Sequence, residues 1–270
     1  MTLIDPRTKY PSEFPAEPRQ DNPGLDVKMA TEPDLGQESY VGSGKLEGRR
    51  ALITGGDSSI GAATAIAFAR EGADVAISYL PEEQEDADRI VKLIEDAGRT
   101  AVAIPGDLQE LDNCVAAVEK AVEGLGGIDI LVNNASRQVW NDGILNISDD
   151  DFDATMKTNI YSAFRVTKEA VKHMDPGSSI IFSTSIQAYS PSKELLDYAM
   201  TKAAFNNLAK GLSGELLPSK GIRVNAVAPG PIWTVIQPAE GQPKEVVDNF
   251  AQVSDIGRPG QPAELAGAYV

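Results

Sequence analysis

From Arg50 onward the chain alternates between two kinds of segment. Short β-branched runs at Ala51–Thr54, Val75–Ser78, Ala101–Ile104, Ile128–Val132, Ser179–Ser183 and Ile222–Val227 predict strands. Between them, helical patterns run over Ile60–Glu71, Glu83–Ala97, Leu111–Leu125, Asp150–Met174 and Tyr198–Leu217. Gly72, Gly98 and Gly221 follow three of these helices, where a left-handed C-cap is cheap for glycine. Strands separated by helices of about 12 or more residues imply crossover connections. The expected fold is α/β: one doubly wound parallel sheet with helices on both faces.

Residues 1–45 break this pattern. They carry six of the 17 prolines and neither periodicity, so the segment reads as an extended, Pro-rich N-terminal extension ahead of a domain spanning 46–270. Two readings stand side by side: a disordered tail, or an arm lying over its own or a neighbouring subunit through Leu3, Ile4, Tyr10, Phe14 and Tyr40. Gly42-Ser43-Gly44-Lys45-Leu46 hints at a phosphate loop, but Ser39 and Leu46 stand where that motif needs Gly and Ser or Thr.

Charge and composition then narrow the chemistry. The 40 acidic against 24 basic residues give a net charge of −16, which argues against nucleic acid and anionic membranes as partners. A single cysteine, Cys114, and a single histidine, His173, leave no intramolecular disulfide, no His/Cys metal cluster and no Ser-His-Asp relay. No run approaches a membrane span, and the chain reads as cytoplasmic.

The first strand runs into Thr54-Gly55-Gly56-Asp57-Ser58-Ser59-Ile60-Gly61, which opens the first helix. Glycines there allow a tight turn and close backbone approach, and the helix N-terminus offers free N–H groups to a pyrophosphate. This turn resembles the T-G-x-x-x-G-x-G signature of the short-chain dehydrogenase/reductase family, with Thr54, Gly55 and Gly61 matching and Ser59 at the middle glycine. If that position needs positive φ, Ser59 carries a strain of about 1 kcal/mol, and its Cβ stands to crowd the cofactor and lower affinity. The resemblance implies a Rossmann sheet binding NAD or NADP. It assigns the cofactor to Thr54, Gly55, Asp57, Ser58, Ser59, Ile60 and Gly61 of the turn, and to Tyr79 after the second strand. It adds Asp107 and Leu108 after the third, Asn134 and Ala135 after the fourth, and Pro229, Gly230, Ile232 and Thr234 after the sixth. Ser136 is a second serine at a family glycine. Ser78, Tyr79 and Leu80 supply neither the carboxylate that selects NAD nor the Arg that selects NADP, so the preference stays open.

Tyr198-Ala199-Met200-Thr201-Lys202 puts a phenol and an ammonium on one helix face. Ionising a free tyrosine at pH 7 costs roughly 4 kcal/mol. A neighbouring cation in a poorly solvated cleft is expected to lower that cost, so that Tyr198 exchanges a proton while hydride moves. Tyr189 and Lys193 have the same spacing, but Pro191 between them argues for a loop. Ser185 stands 13 positions before Tyr198, matching the family interval. By resemblance Ser185 binds the substrate oxygen, Lys202 binds the nicotinamide ribose, and Asn159 helps relay protons through water.

The implied activity is NAD(P)-dependent interconversion of a secondary alcohol (or sugar or polyol) and a carbonyl. The alternative is a dinucleotide-binding stress or interaction protein with little turnover, resting on Ser59 and Ser136. The narrower resemblance, through Ser185–Tyr189, Pro229–Thr234 and the arm, is to bacterial general-stress-type and glucose-dehydrogenase-like oxidoreductases. Gln138, Trp140, Gln187, Tyr189, Trp233 and the loop Val235–Asp248 are candidate substrate walls, with Gln237–Pro243 as a lid. Family members continue into a seventh strand. Its absence here would leave Ile222–Val227 at an open edge. By resemblance the protein is expected to be a homo-oligomer, a dimer or a tetramer, in which the contact through the long helices Asp150–Met174 and Tyr198–Leu217 survives and a second contact, through the missing strand, is altered.

Overall fold

The computed structural model describes residues 3–252 and 254–270. Six strands form one wholly parallel sheet: β1 (Arg50–Thr54), β2 (Asp74–Tyr79), β3 (Ala101–Pro105), β4 (Ile130–Asn133), β5 (Ser179–Ser183) and β6 (Arg223–Val227). Their order is β3-β2-β1-β4-β5-β6. The chain winds outward from β1 in one direction and then from β4 in the other, so a crevice opens where the order reverses, beyond the carboxyl ends of β1 and β4. As expected from the alternating segments, each crossover passes through helix: α1 (Ser59–Arg70), α2 (Gln84–Asp96), α3 (Leu111–Leu125), α4 (Asp149–Met156), α5 (Ser162–Ala170) and α6 (Leu196–Lys220).

Two apolar layers hold the sheet. On one face Ile53, Val75 and Ile77 pack under Ile66 and Phe68 of α1, Ile90 and Ile94 of α2, and Tyr269 of the C-terminal helix α7 (Pro262–Tyr269). On the other, Leu52, Leu131, Ile180 and Phe182 meet Val118 of α3, Val166 of α5 and Phe205 of α6. Burial on both faces is what makes the central strands apolar at consecutive positions.

The predicted helix Asp150–Met174 forms from Asp149 to Ala170 but is not α-helical throughout. It divides into α4 and α5 around a π-helical turn, Lys157–Tyr161. Asn159 sits in that turn with its side chain drawn inward, its Oδ1 accepting from the Arg137 amide at 2.7 Å and its Nδ2 donating to Thr201 Oγ1 at 3.0 Å. A π turn of this kind often marks a functional position.

The N-terminal segment lies over its own chain. Phe14 stacks on Trp233 with ring centroids 4.3 Å apart, and the Trp233 indole N–H donates to the Thr31 carbonyl at 2.8 Å. Tyr10 donates to Asp34, Tyr40 donates to Glu71, and Arg258 donates to the Pro6 carbonyl. Leu3 and Ile4, expected as anchors, are instead exposed, at 99% and 66%. The Gly42–Leu46 stretch folds around a carboxylate of its own chain: the Ser43 and Lys45 amides donate to Glu71 Oε2.

Candidate active site

The crevice is a cleft of about 290 Å³ running from the β1–α1 turn to the start of α6. At one end the turn is shaped by glycine. Gly55 has φ +60°, and a Cβ there would lie 3.1 Å from the Ala135 backbone, while a Cβ on Gly61 would collide with the Gly55 carbonyl. Thr54 Oγ1 accepts from the Asn134 and Ala135 amides at 3.0 and 3.1 Å, tying the ends of β1 and β4 together. Asn134 donates to the Gly55 carbonyl and accepts from Ser183, so the β5 end joins the same knot. Thr54 and Gly61 thus stand behind the wall and build the turn, whereas Gly55, Asp57, Ser58, Ser59 and Ile60 line it.

Ser59 holds φ +50°, the left-handed backbone that the glycine pattern demands. Its amide and hydroxyl both donate to the carboxylate of Asp26 in the N-terminal arm, at 2.6 and 2.9 Å, and its oxygen accepts from the Val235 amide at 3.1 Å. The serine in place of glycine therefore joins the turn, the arm and the loop after β6. Asp26 is itself buried. Removal from water pushes its carboxyl up to about 7 against the two Ser59 hydrogen bonds, and Asp86 nearby adds to the rise.

At the other end, Ser185 caps a short 3-10 turn, its Oγ accepting from the Gln187 amide at 3.1 Å. Tyr198 lies in the first turn of α6, and Lys202 follows one turn later with its Nζ 5.4 Å from the centre of the Tyr198 ring. Lys202 is buried and donates to the Ser183 carbonyl at 2.8 Å. Burial pushes the Tyr198 phenol up to about 12, with the Ser185 hydroxyl pulling the other way, and pushes the Lys202 ammonium down to about 7. The expectation that the lysine acidifies the phenol is not met: desolvation is the largest cause at both groups and favours the neutral form of each. The rival pair, Tyr189 and Lys193, sits in an exposed loop, as Pro191 implied.

Leu108, Tyr79, Asn134, Ala135, Pro229, Gly230, Ile232 and Thr234 line the cleft along with Ser185, Tyr198 and Lys202. Asp107 and Asn159 do not. Asp107 Oδ1 accepts from the Gln109 amide at 2.9 Å, the turn-closing role that a short acidic side chain also performs without a ligand. Asn159 is committed to the Arg137 backbone and Thr201. Of the candidate substrate walls, Gln138, Gln187, Gln237 and Gln242 line the cleft and Trp140 and Tyr189 do not. Trp233 is not a wall either, being 0% exposed beneath Phe14. Sequence reasoning missed Asn22 and Pro23 of the arm, Ser78, Glu83 and Phe250. Only an arm folded back over the cleft brings the first two there, and α2 has to start beside β2 to bring Glu83.

Gln138 donates to the Gly241 carbonyl, the Trp140 amide donates to Glu240, and the Gln20 amide donates to Pro238, so the segment Gln237–Gly241 is fastened from both sides. Among the described residues there is no cluster of His, Cys, Asp and Glu able to hold a metal ion. No described helix is long and apolar enough to cross a membrane.

A doubly wound parallel sheet with a glycine-built turn at its switch point is the architecture of a dinucleotide-binding fold, and comparison with known proteins supplies the class. The profile of the family described as "Enoyl-(Acyl carrier protein) reductase" matches residues 55–270. The chain is 49% identical to "Uncharacterized oxidoreductase YghA" of Escherichia coli (strain K12), over 99% of this chain and 91% of that one. It is 40% identical to "Glucose and ribitol dehydrogenase" of Daucus carota, over 96% and 90%. Among solved structures, a short-chain dehydrogenase from Burkholderia cenocepacia J2315 in complex with NADP superposes with a TM-score of 0.76 at 36% identity, covering 83% of this chain and 89% of that one. The chain belongs to the short-chain dehydrogenase/reductase family and is an NAD(P)-dependent oxidoreductase.

Proposed function

We propose that this enzyme interconverts a secondary alcohol, of the sugar or polyol type, and the corresponding carbonyl, with Tyr198 as general acid/base. The observation that carries the reading is the convergence of Ser185, Tyr198 and Lys202 on the cleft that the Gly55–Ile60 turn opens. The turn amides and the α1 N-terminus hold the pyrophosphate, and Pro229, Gly230, Ile232 and Thr234 close over the rest of the cofactor. Bound nicotinamide supplies or accepts the hydride. Ser185 donates to the substrate oxygen and stabilises charge that develops there. Tyr198, a neutral phenol near neutral pH, is ready to give that oxygen its proton. Lys202 binds the nicotinamide ribose and supports the phenolate left behind. Asn159 acts on the reaction through its hold on the β4 loop and α6.

Support for a hydroxylated substrate comes from the walls. Gln138, Gln187, Gln237 and Gln242 place amides around the cleft, and the Oε1 atoms of Gln237 and Gln242 are buried without hydrogen-bond partners. A substrate bringing several hydroxyl donors satisfies such acceptors better than an apolar ketone does. Relatives named "Glucose and ribitol dehydrogenase" and "NADPH-dependent aldehyde reductase 1, chloroplastic" (Arabidopsis thaliana, 42% identical) point to the same pair of functional groups. The test is a turnover screen of sugars, polyols, aldehydes and ketones with both cofactors. Oxidation of polyols or sugars, or reduction of their carbonyl forms, is expected. Cofactor binding with no turnover across the panel would contradict the proposal and favour a binding protein.

The same reading makes the protein a cytoplasmic homo-oligomer. Tyr161 and Phe164 of the π turn and α5 expose their rings beside Leu111 of α3 and Leu208 of α6, an apolar hollow on the long-helix face suited to a second copy.

A further inference from the structure

The end of the cleft away from Tyr198 has an unusual balance of charge. Asp57, Ser58, Ser78, Tyr79, Leu80 and Glu83 line it. Asp57 is 2% exposed, and neither of its carboxylate oxygens has a hydrogen-bond partner; the Ser78 hydroxyl beside it is also unpartnered. Glu83 caps the short turn before α2, its Oε2 accepting from the Leu80 amide at 2.8 Å, and the carboxylates of Asp26 and Asp86 lie buried close behind. The basic side chains that line the cleft are Arg137 and Lys202. Both serve the opposite end and are engaged, Arg137 with Asp151 and Thr155, and Lys202 with the Ser183 carbonyl. Arg89, whose charge acts on Asp26 and Asp86, does not line the cleft and is paired with Glu32.

Orphaned buried polar atoms of this kind are costly unless a ligand completes them. The ligand pattern they fit is a pair of neighbouring hydroxyls. Asp57 offers two buried carboxylate oxygens as unsatisfied acceptors. A ribose diol answers both. A 2′-phosphate brings about two negative charges and only acceptors, and it meets carboxylates with no guanidinium or ammonium to receive it.

We propose that Asp57, seconded by Glu83, is the specificity-determining residue of this enzyme and selects NAD(H) over NADP(H). The inference rests on the reading of the cleft as the cofactor site, and it places the selecting carboxylates in the β1–α1 turn and at the start of α2 rather than at the end of β2.

The experiment is a binding titration of the full chain with NADH and with NADPH, followed by nicotinamide fluorescence and checked by calorimetry, for wild type, Asp57→Ser, Glu83→Gln and the double variant. Wild type is expected to bind NADH at least tenfold more tightly than NADPH. Each single variant should narrow that ratio severalfold, and the double variant should bring it near one, chiefly by tightening NADPH. Glu83→Gln keeps the acceptor for the Leu80 amide and so reports even if Asp57→Ser fails to fold. Wild type binding NADPH as tightly as NADH, or a ratio unmoved by the folded variants, overturns the proposal while leaving the cleft a dinucleotide site. Failure of both cofactors to bind wild type overturns the reading of the cleft itself.

Discussion

Asp26 donates its backbone amide to Asp86 and receives two hydrogen bonds from Ser59, yet it is buried among other carboxylates and titrates near 7. The sign of the consequence follows from proton linkage. The folded protein holds this proton more tightly than the unfolded chain does. The group's contribution to stability is therefore complete below about pH 4 and is lost as pH rises to about 7. Replacing Asp26 with Asn removes the titration. Thermal melts of the two proteins should show wild type losing stability relative to Asp26→Asn between pH 4 and 7, with a constant difference above about 7.5. A difference that does not change with pH would mean that Asp26 is not a buried titrating group. Tyr198 and Lys202 show the same force at the reaction centre. Spacing alone predicted an acidified phenol, whereas the cost of burying each ion moves both groups toward neutrality. Alcohol oxidation, which needs the phenolate, is accordingly expected to accelerate with pH between 7 and 10, and carbonyl reduction, which needs the phenol, is not. Rate profiles in the two directions would check this.

At the scale of elements, the arm and the loop after β6 depend on one another. Trp233, fully buried, is stacked by Phe14 on one side and approached by Phe250 at 6.4 Å, with Met29, Val235 and Val247 filling the rest of the cluster. Phe14→Ala should destabilise the protein by about 1–3 kcal/mol in denaturant titrations. In a Trp140→Phe background it should shift the Trp233 emission to the red. An unshifted spectrum would show that the arm does not cover the indole. A docked arm anchored by Phe14, Tyr10 and Tyr40 was one of two readings of the sequence, but its partners were not legible, because Phe14 and Trp233 are distant and share no periodicity. The strands were legible, since two buried faces force apolar residues at successive positions of β1, β2 and β4. Tyr198 was separable from Tyr189 because Pro191 forbids a continuing helix through the latter. The π turn at Lys157–Tyr161 was not legible: no proline or glycine marks it, and contacts from Asn159 to Arg137 and Thr201 hold it. Asp57 was legible as a cofactor-turn residue by resemblance, but the approach of Glu83, in the short turn before α2, was not, because it depends on how the chain leaves β2.

For the whole molecule, the doubly wound sheet brings the glycine-built turn and the Tyr198–Lys202 pair to one crevice from positions more than a hundred residues apart. The apolar hollow on the outside of the same helices predicts a dimer. Light scattering should find at least a dimer for wild type, and Phe164→Glu should yield a smaller species; a monomeric wild type would contradict the proposed pairing. The proposed chemistry turns on the proton at Tyr198, and the direct measurement is turnover and NADH binding of Tyr198→Phe beside wild type, with the best substrate from the screen. The variant's kcat is expected to fall by about 10²–10⁴ while its Kd for NADH stays within about threefold. A variant that turns over at wild-type speed would contradict that chemistry.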